Sequence, residues 1–268
     1  MKLSHKPKKS LGQNFLIDKN IVNKIIKIGE INNNKTVIEI GAGYGSLTKS
    51  ISSCKPKKII AIEKDKNLAL LLKEKFKDHK NIKIINEDIL DIVQNNFFEE
   101  KVVVFGNLPY NVSTKILASL ILQKKWPPWY GILILMFQKE VAERILAKTK
   151  TKEFGRLSVL SNWRLEVKKH FDVSNNCFFP RPKIDSTVLS FKPKENYIYT
   201  LKNPKNLEKV TNILFSGRRK MINKNFKKLF GNDIQKINEL NIDLKKRPQD
   251  LTCDQFYKIA SVYERLFD

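Results

Sequence analysis

Between residues 36 and 137, five short apolar runs alternate with segments of helical period, and that alternation leaves few folds open. "TVIEIG" (36–41), "KIIAIE" (58–63), "IKII" (82–85), "KVVVFG" (101–106) and "GILILMF" (131–137) are apolar on both faces, as strands covered from two sides are. Between them, "SLTKSISS", "DKNLALLLKEKF" and "STKILASLILQKK" are compatible with helices, and Asp65 is a predicted cap of the second. Parallel strands joined by helices, in an open sheet clothed on two sides, are the expected result. Asp18 is expected to cap an earlier helix in which Ile21, Val22, Ile25 and Ile26 recur at helical spacing. "EVKKHFDV" and "STVLSFKP" predict two further strands. From about Asn203 the period is helical, with no β-rich run. The aperiodic stretch "PKENYIYTLKNP" then divides an α/β domain, 1–198, from a small all-helical domain, 199–268.

The bulk properties narrow the partners. The formal charge is +24, and the excess is spread along the chain instead of opposing one apolar helical face. Such a field attracts polyanions, and nucleic acid fits better than a membrane surface. Only eight of the 51 basic residues are arginine, so biased composition accounts for part of the surplus. No run of about 18 apolar residues is present and the basic N-terminus does not lead into an apolar signal core, so a cytoplasmic protein is expected. Cys54, Cys177 and Cys253 are scattered and there are three histidines, which predicts reduced thiols and no metal site. A monomer is expected.

The glycine turn "GAGYGS" follows the first sheet strand directly and places Gly41, Gly43 and Gly45 where a backbone must turn and approach a ligand. A dinucleotide fingerprint needs a third glycine at offset five from Gly41, and Ser46 stands there. No "GxxxxGK[ST]" exists. The second strand ends in Glu63, twenty positions beyond Gly43, where a carboxylate can accept both hydroxyls of a ribose. The third ends near Asp88, which can accept from an exocyclic amine such as that of adenine. Either acid alone reads equally well as a helix cap. Together, at successive strand ends, they predict a nucleoside ligand without a phosphate cradle, and S-adenosylmethionine fits that description.

At the end of the fourth strand stands "NLPY". An adenine amine is a poor nucleophile, because its lone pair is delocalised into the ring. The side-chain oxygen of Asn107 and the backbone carbonyl of Leu108 can accept its two hydrogens and favour a pyramidal nitrogen aimed at the methyl donor. Pro109 stiffens the loop, and Tyr110 offers a flat face for the target base. An ordinary strand-ending turn is the plainer reading; the glycine turn beside it argues for function.

These stretches resemble the KsgA family of ribosomal RNA adenine dimethyltransferases, most closely its bacterial small-subunit branch, over nearly the whole length. "KKSLGQNFLID" (8–18) resembles the family's N-terminal signature, which implies that Asn14 and Leu16 touch the methyl donor and Gln13 helps to cover it. "EIGAGYGSLT" and "IEKD" resemble the cofactor motifs, "EDIL" implies adenine contacts from Asp88 and Ile89, and "FGNLPYNVST" resembles the catalytic motif, with Asn107 also beside the cofactor. "FFPRPKIDSTV" resembles a phenylalanine–proline motif, which implies that Phe178 stacks on the far side of the target adenine. A core plug is the plainer reading, and Phe179 offers a second register. "LFSGRRKMINKNFK" resembles the start of the family's helical RNA-binding domain. Arg218, Arg219, Lys220 and Lys224, with Lys227 and Lys228, are expected to line one helical face, as an RNA contact or as a solvated surface.

The resemblance implies a class I, Rossmann-like methyltransferase sheet with a helical C-terminal domain. It implies S-adenosylmethionine-dependent N6,N6-dimethylation of two adjacent adenosines near the 3′ end of 16S rRNA in the small ribosomal subunit, with a role in ribosome biogenesis. The alternatives are a large-subunit (23S) adenine methyltransferase of the antibiotic-resistance type, a DNA adenine methyltransferase and a non-catalytic RNA-binding assembly factor.

Overall fold

The computed structural model describes residues 12–94, 101–231 and 240–268. In chain order the elements are β1 (Phe15–Leu16), α1 (Lys19–Ile28), β2 (Thr36–Ile40), α2 (Ser46–Ser53), β3 (Lys58–Ile62), α3 (Lys66–Lys75), β4 (Ile82–Ile85) and α4 (Ile89–Gln94). There follow β5 (Val102–Asn107), α5 (Ser113–Ile121), β6 (Tyr130–Gln138), α6 (Lys139–Leu146), α7 (Arg156–Arg164), β7 (Leu165–Val173), β8 (Phe178–Phe179) and β9 (Ser186–Pro193). Helices α8 (Lys205–Phe215), α9 (Asn223–Phe230) and α10 (Cys253–Phe267) complete the described chain.

Seven strands form one sheet in the order β4-β3-β2-β5-β6-β9-β7. The five apolar runs supply its parallel part, from β4 to β6. Val37, Ile38, Ile59, Ala61, Val104 and Phe105 are fully buried there, because helices shield both faces. β9 runs antiparallel to β6, so the sheet is mixed. Starting from β2 the chain first builds outward through β3 and β4, then returns to the other side of β2 with β5. The order reverses between β2 and β5, and at such a switch point the connecting loops diverge and leave a crevice at the carboxyl ends of the strands. Ile40 pairs with Gly106 across it, which brings the glycine turn beside Asn107.

Below the crevice, Val22, Ile25 and Ile26 of α1 and Leu47 and Ile51 of α2 pack with Val37, Val103, Phe105 and Met136 in one apolar cluster. Each such side chain contributes roughly 1.5–3 kcal/mol on burial. The two caps expected from sequence form. Asp18 accepts from the N–H groups of Asn20 and Ile21, and Asp65 from that of Asn67.

The chain divides into two compact units, and the second is not a simple C-terminal piece. The first comprises Met1–Leu120, Pro127–Ala142 and Val167–Pro193; the second comprises Ile121–Trp126, Glu143–Glu166 and Lys194–Asp268. The expected single cut after residue 198 thus differs from the observed partition, because α7 and its flanks pack with α8 and α10. Tyr257 Oη donates to the Val159 carbonyl at 2.9 Å, and Phe215 stacks on Phe256 with ring centroids 5.1 Å apart. Arg164, 1% exposed, lies 3.8 Å from the Trp163 ring centroid and donates to the Gln123 carbonyl at 2.9 Å. A buried guanidinium needs such partners to offset desolvation. Among the described residues, no helix is long and apolar enough to cross a membrane.

Candidate active site

The glycine turn opens from β2 with Gly41, Gly43 and Gly45 all in the left-handed region. Gly43 is required twice over: its φ is +57°, and a Cβ there would stand 2.8 Å from the Phe15 ring. At Gly41, φ +73°, an added Cβ would meet the Asn107 carbonyl oxygen at 3.6 Å and, among the described residues beyond its chain neighbours, no other heavy atom within 4 Å, so the backbone borders open space. A cavity of about 240 Å³ lies there, bounded by the loops after β2, β3, β4 and β5 and by residues 12–15.

Glu63 is buried beside the turn and ties two loops together. Its Oε2 accepts from the Gly43 N–H and its Oε1 from the Asp65 N–H, both at 2.8 Å. Burial raises its pKa, and the two backbone N–H groups oppose that shift. Each carboxylate oxygen carries more than one acceptor position, so capacity remains toward the cavity that Glu63 lines. Asp88 caps the start of α4 through the Leu90 N–H at 3.0 Å and pairs with Lys64 Nζ at 2.8 Å. Burial pushes its pKa up, but the Lys64 ammonium and the Leu90 N–H outweigh burial and hold it below its usual value. The cap predicted as the plainer reading therefore forms, and the same residue lines the cavity.

On the other side, Asn107 ends β5 and Pro109 begins the descent into α5. The Pro109 carbonyl accepts from the Val112 and Ser113 N–H groups at 3.1 and 3.0 Å. Asn107 Nδ2 donates to the Asn14 carbonyl at 2.9 Å, which fixes the amide's orientation. Tyr110, half-buried, shares a 2.7 Å hydrogen bond with Ser186 Oγ. Its pKa is raised by burial, so the phenol stays neutral.

A family model described as ribosomal RNA adenine dimethylase matches residues 4–265. The chain belongs to that family. The dimethylase has the fold of a class I methyltransferase. A Pelagibacter ubique (strain HTCC1062) protein called ribosomal RNA small subunit methyltransferase A is 52% identical over 261 residues, 97% of this chain and 98% of its own. A relative of the same name from Wolbachia sp. subsp. Drosophila simulans (strain wRi) is 38% identical, covering 98% of this chain and 95% of its own. The solved dimethyladenosine transferase from Plasmodium falciparum is similar with a TM-score of 0.73 at 27% identity, covering 91% of this chain and 95% of that one. The 23S rRNA methyltransferase ErmE shares the fold, with a TM-score of 0.65 at 20% identity, covering 92% of this chain and 98% of that one.

Most of the residues anticipated for the dimethylase's site line one cavity: Gln13, Asn14, Gly41, Gly43, Glu63, Asp88, Ile89, Asn107, Leu108, Pro109 and Tyr110. Two do not. Antiparallel pairing of β1 with β8 sets Leu16 opposite Phe178 and Phe15 opposite Phe179. Successive side chains of a strand point to opposite faces. Leu16 and Phe178, each 3% exposed, accordingly enter the core with Val22 and Ile25, while Phe15 lines the cavity. The burial of Phe178 fits the plainer, core-plug reading, and Phe179, 46% exposed, is the ring of the two that faces solvent. Phe15, Lys64 and Asn111 were missed, although the alternation in "NFLI" carried the clue to Phe15.

The basic cluster also needs correction. Arg218, Arg219 and Lys220 lie in a turn between α8 and α9, not on a helical face, because α8 ends at Ser216–Gly217. One amino group of Arg218 donates to the carbonyls of Lys152 and Phe154 at 2.6 and 2.7 Å. Arg219, Lys220 and Lys224 are exposed, the last on α9. The start of the N-terminal signature, Lys8–Leu11, lies outside the described residues.

The two phenylalanines separate by experiment. Phe179→Ala is expected to raise KM for RNA roughly tenfold, as loss of a base-stacking ring does, with an unchanged melting temperature. Phe178→Ala is expected to lower stability by about 3 kcal/mol. The reverse pattern in steady-state kinetics and thermal melts would contradict the assignment.

Proposed function

We propose that this protein transfers methyl groups from S-adenosylmethionine to the N6 amines of two adjacent adenosines in the 3′-terminal hairpin loop of 16S rRNA, and acts in small-subunit biogenesis. The observation that carries the reading is the Asn107 amide. With Nδ2 committed to the Asn14 carbonyl, Oδ1 is the end offered to a substrate amine beside the glycine turn.

The residues present fit the methyl donor. Gly41 leaves room for a close approach, Glu63 is held to receive ribose hydroxyls, and Asp88 is kept ionised to accept from the adenine amine. Ile89, Gln13 and Asn14 flank the same space. When bound, the donor supplies a methyl group activated by a positively charged sulfur. The chain's own residues do the rest. Asn107 Oδ1 and the Leu108 carbonyl hold the target amine's hydrogens and restore its lone pair. Tyr110 stacks on the base, for roughly 1–3 kcal/mol. The surrounding acceptors are preorganised for the charge distribution of the transition state. No strong general base is needed, since a methylated, positively charged amine readily loses its proton to water.

The target base must leave its stack to reach such a cavity, and hairpin loops hold the least stacked bases. Arg219, Lys220 and Lys224 are proposed RNA phosphate contacts. The relatives named for the small subunit support that subunit over the large one. Incubating unmethylated small and large subunits with labelled S-adenosylmethionine tests this. Mass spectrometry is expected to find N6,N6-dimethyladenosine in the small-subunit RNA alone. Label confined to the large subunit would overturn the proposal.

A further inference from the structure

The segment Gly12–Asn14 borders the cavity and meets the catalytic loop at two separate points. Its Asn14 carbonyl receives Asn107 Nδ2 at 2.9 Å. Gly12, at φ +62°, leaves room for Asn111 and Pro109: a Cβ there would lie 3.0 Å from Asn111 Oδ1 and 3.7 Å from Pro109 Cβ. Asn14 Nδ2 donates to the Gly12 carbonyl at 3.2 Å and braces the segment on itself. Beyond it, Phe15 packs edge-on against Tyr44, ring centroids 4.5 Å apart, and pairs with Phe179. The segment is thus pinned on the glycine-turn side and touches the loop that bears the catalytic amide.

An asparagine amide has two ends of nearly equal size, and its terminal torsion is broad and roughly two-fold. One orientation presents an acceptor to the target amine. The other presents N–H donors to its hydrogens, which repels them. Neither the Asn107 backbone nor its size chooses between them. The Asn14 carbonyl does, because it accepts from Nδ2 and would repel Oδ1.

We propose that Gly12 and Asn14 are positioning residues for methyl transfer, which act by holding Asn107 with its oxygen toward the substrate. Their sequence neighbourhood also borders the methyl-donor space, so the segment that flanks the donor also orients the acceptor group. The inference rests on the proposed role of Asn107.

Gly12→Ala tests it in the full chain. The added methyl strains the left-handed backbone and presses on Asn111, moving the Asn14 carbonyl away from Nδ2. The readouts are kcat at saturating donor and RNA, both dissociation constants, the melting temperature, and the ¹⁵N–¹H signal of the Asn107 side-chain amide, assigned by its disappearance in Asn107→Ala. In the wild type that amide is expected to exchange slowly with solvent. In Gly12→Ala it is expected to exchange like an exposed asparagine, with kcat at least tenfold lower and RNA affinity within twofold of wild type. Asn14→Ala removes the 3.2 Å brace without backbone strain and is expected to shift both readouts the same way if Gly12→Ala folds poorly. A lowered kcat with the Asn107 amide still protected would overturn the inference, as would full kcat with the amide released. Failure of the functional reading is distinguishable, because the wild type itself would then leave the small-subunit RNA unmethylated.

Discussion

Asn107→Ala is expected to reduce kcat for methyl transfer by at least about 10²–10³-fold, the range seen when one preorganised transition-state hydrogen-bonding group is removed. In the proposed mechanism the residue's contribution is concentrated in the chemical step. In the ground state the adenine amine is planar and conjugated, and one acceptor more or less changes its binding little. Approaching transfer, the nitrogen becomes pyramidal and its hydrogens acidic, so an acceptor fixed in place strengthens its hold as the reaction proceeds. RNA affinity is expected to stay within about twofold, because the proposed contacts of Tyr110 with the base and of exposed basic side chains with the backbone are left in place. Donor affinity is expected to fall only slightly, since Glu63, Asp88 and the glycine turn are untouched. Asn107→Asp makes the argument sharper. It keeps an acceptor but replaces the N–H that bonds Asn14 with an oxygen facing a carbonyl oxygen. That variant should also be strongly impaired, although it offers more oxygen acceptors than the wild type. Single-turnover transfer by Asn107→Ala within tenfold of wild type would remove the amide from the mechanism.

The frame of the proposed site is partly legible in the amino-acid sequence. Strands buried on two faces announce themselves as continuous apolar runs, and "TVIEI" or "VVVF" needs no partner to be recognised. Local signals were equally legible: Asp18 and Asp65 cap helices from one position before them, and the glycine turn follows its strand without a gap. What stayed hidden depended on distant pairings. The orientation of the Asn107 amide is set from Asn14, 93 positions away. The choice between Phe178 and Phe179 is made by antiparallel pairing with Phe15–Leu16, which no local periodicity contains. Basic residues from Arg218 to Lys220 read as a helical face until Ser216–Gly217 ended the helix. The second unit drew Trp126 and α7 from earlier in the chain, because a buried arginine and its aromatic ring partners must be gathered in space whatever their order.

Glu39→Gln is expected to flatten the pH dependence of stability, and the reason lies on the strand beside the one that ends at Asn107. Glu39 stands at the penultimate position of β2, 1% exposed, and accepts a 2.5 Å hydrogen bond from Thr48 Oγ1 in α2. Burial pushes its pKa up to about 8 from an ordinary 4.5; the Thr48 hydrogen bond opposes that, the Glu63 charge adds to it and Lys75 opposes it. In the unfolded chain the carboxyl releases its proton near pH 4.5, whereas the folded protein retains it until near pH 8. Over that interval the native state binds more protons, so stability falls as pH rises, by roughly 1.4 kcal/mol per pH unit. The contribution is fully present below the unfolded value and lost above the folded one, about 5 kcal/mol in all. Glutamine reproduces the shape of the neutral acid and still accepts from Thr48, but has no proton to lose. Taking the two proteins as isoenergetic in acid, Glu39→Gln should be about 1 kcal/mol more stable than wild type at pH 5 and about 4 kcal/mol more stable at pH 8. Glu63, raised in the same direction, contributes its slope to both proteins and largely cancels in the difference. Asp88 and Asp172, held below their usual values, act on the acid side of the window. Urea unfolding at pH 5, 6, 7 and 8, with m-values held equal, measures the difference directly. Parallel pH profiles for the two proteins would mean that the native carboxyl is already ionised, and that the glycine turn rests on a buried charge instead of a neutral acid.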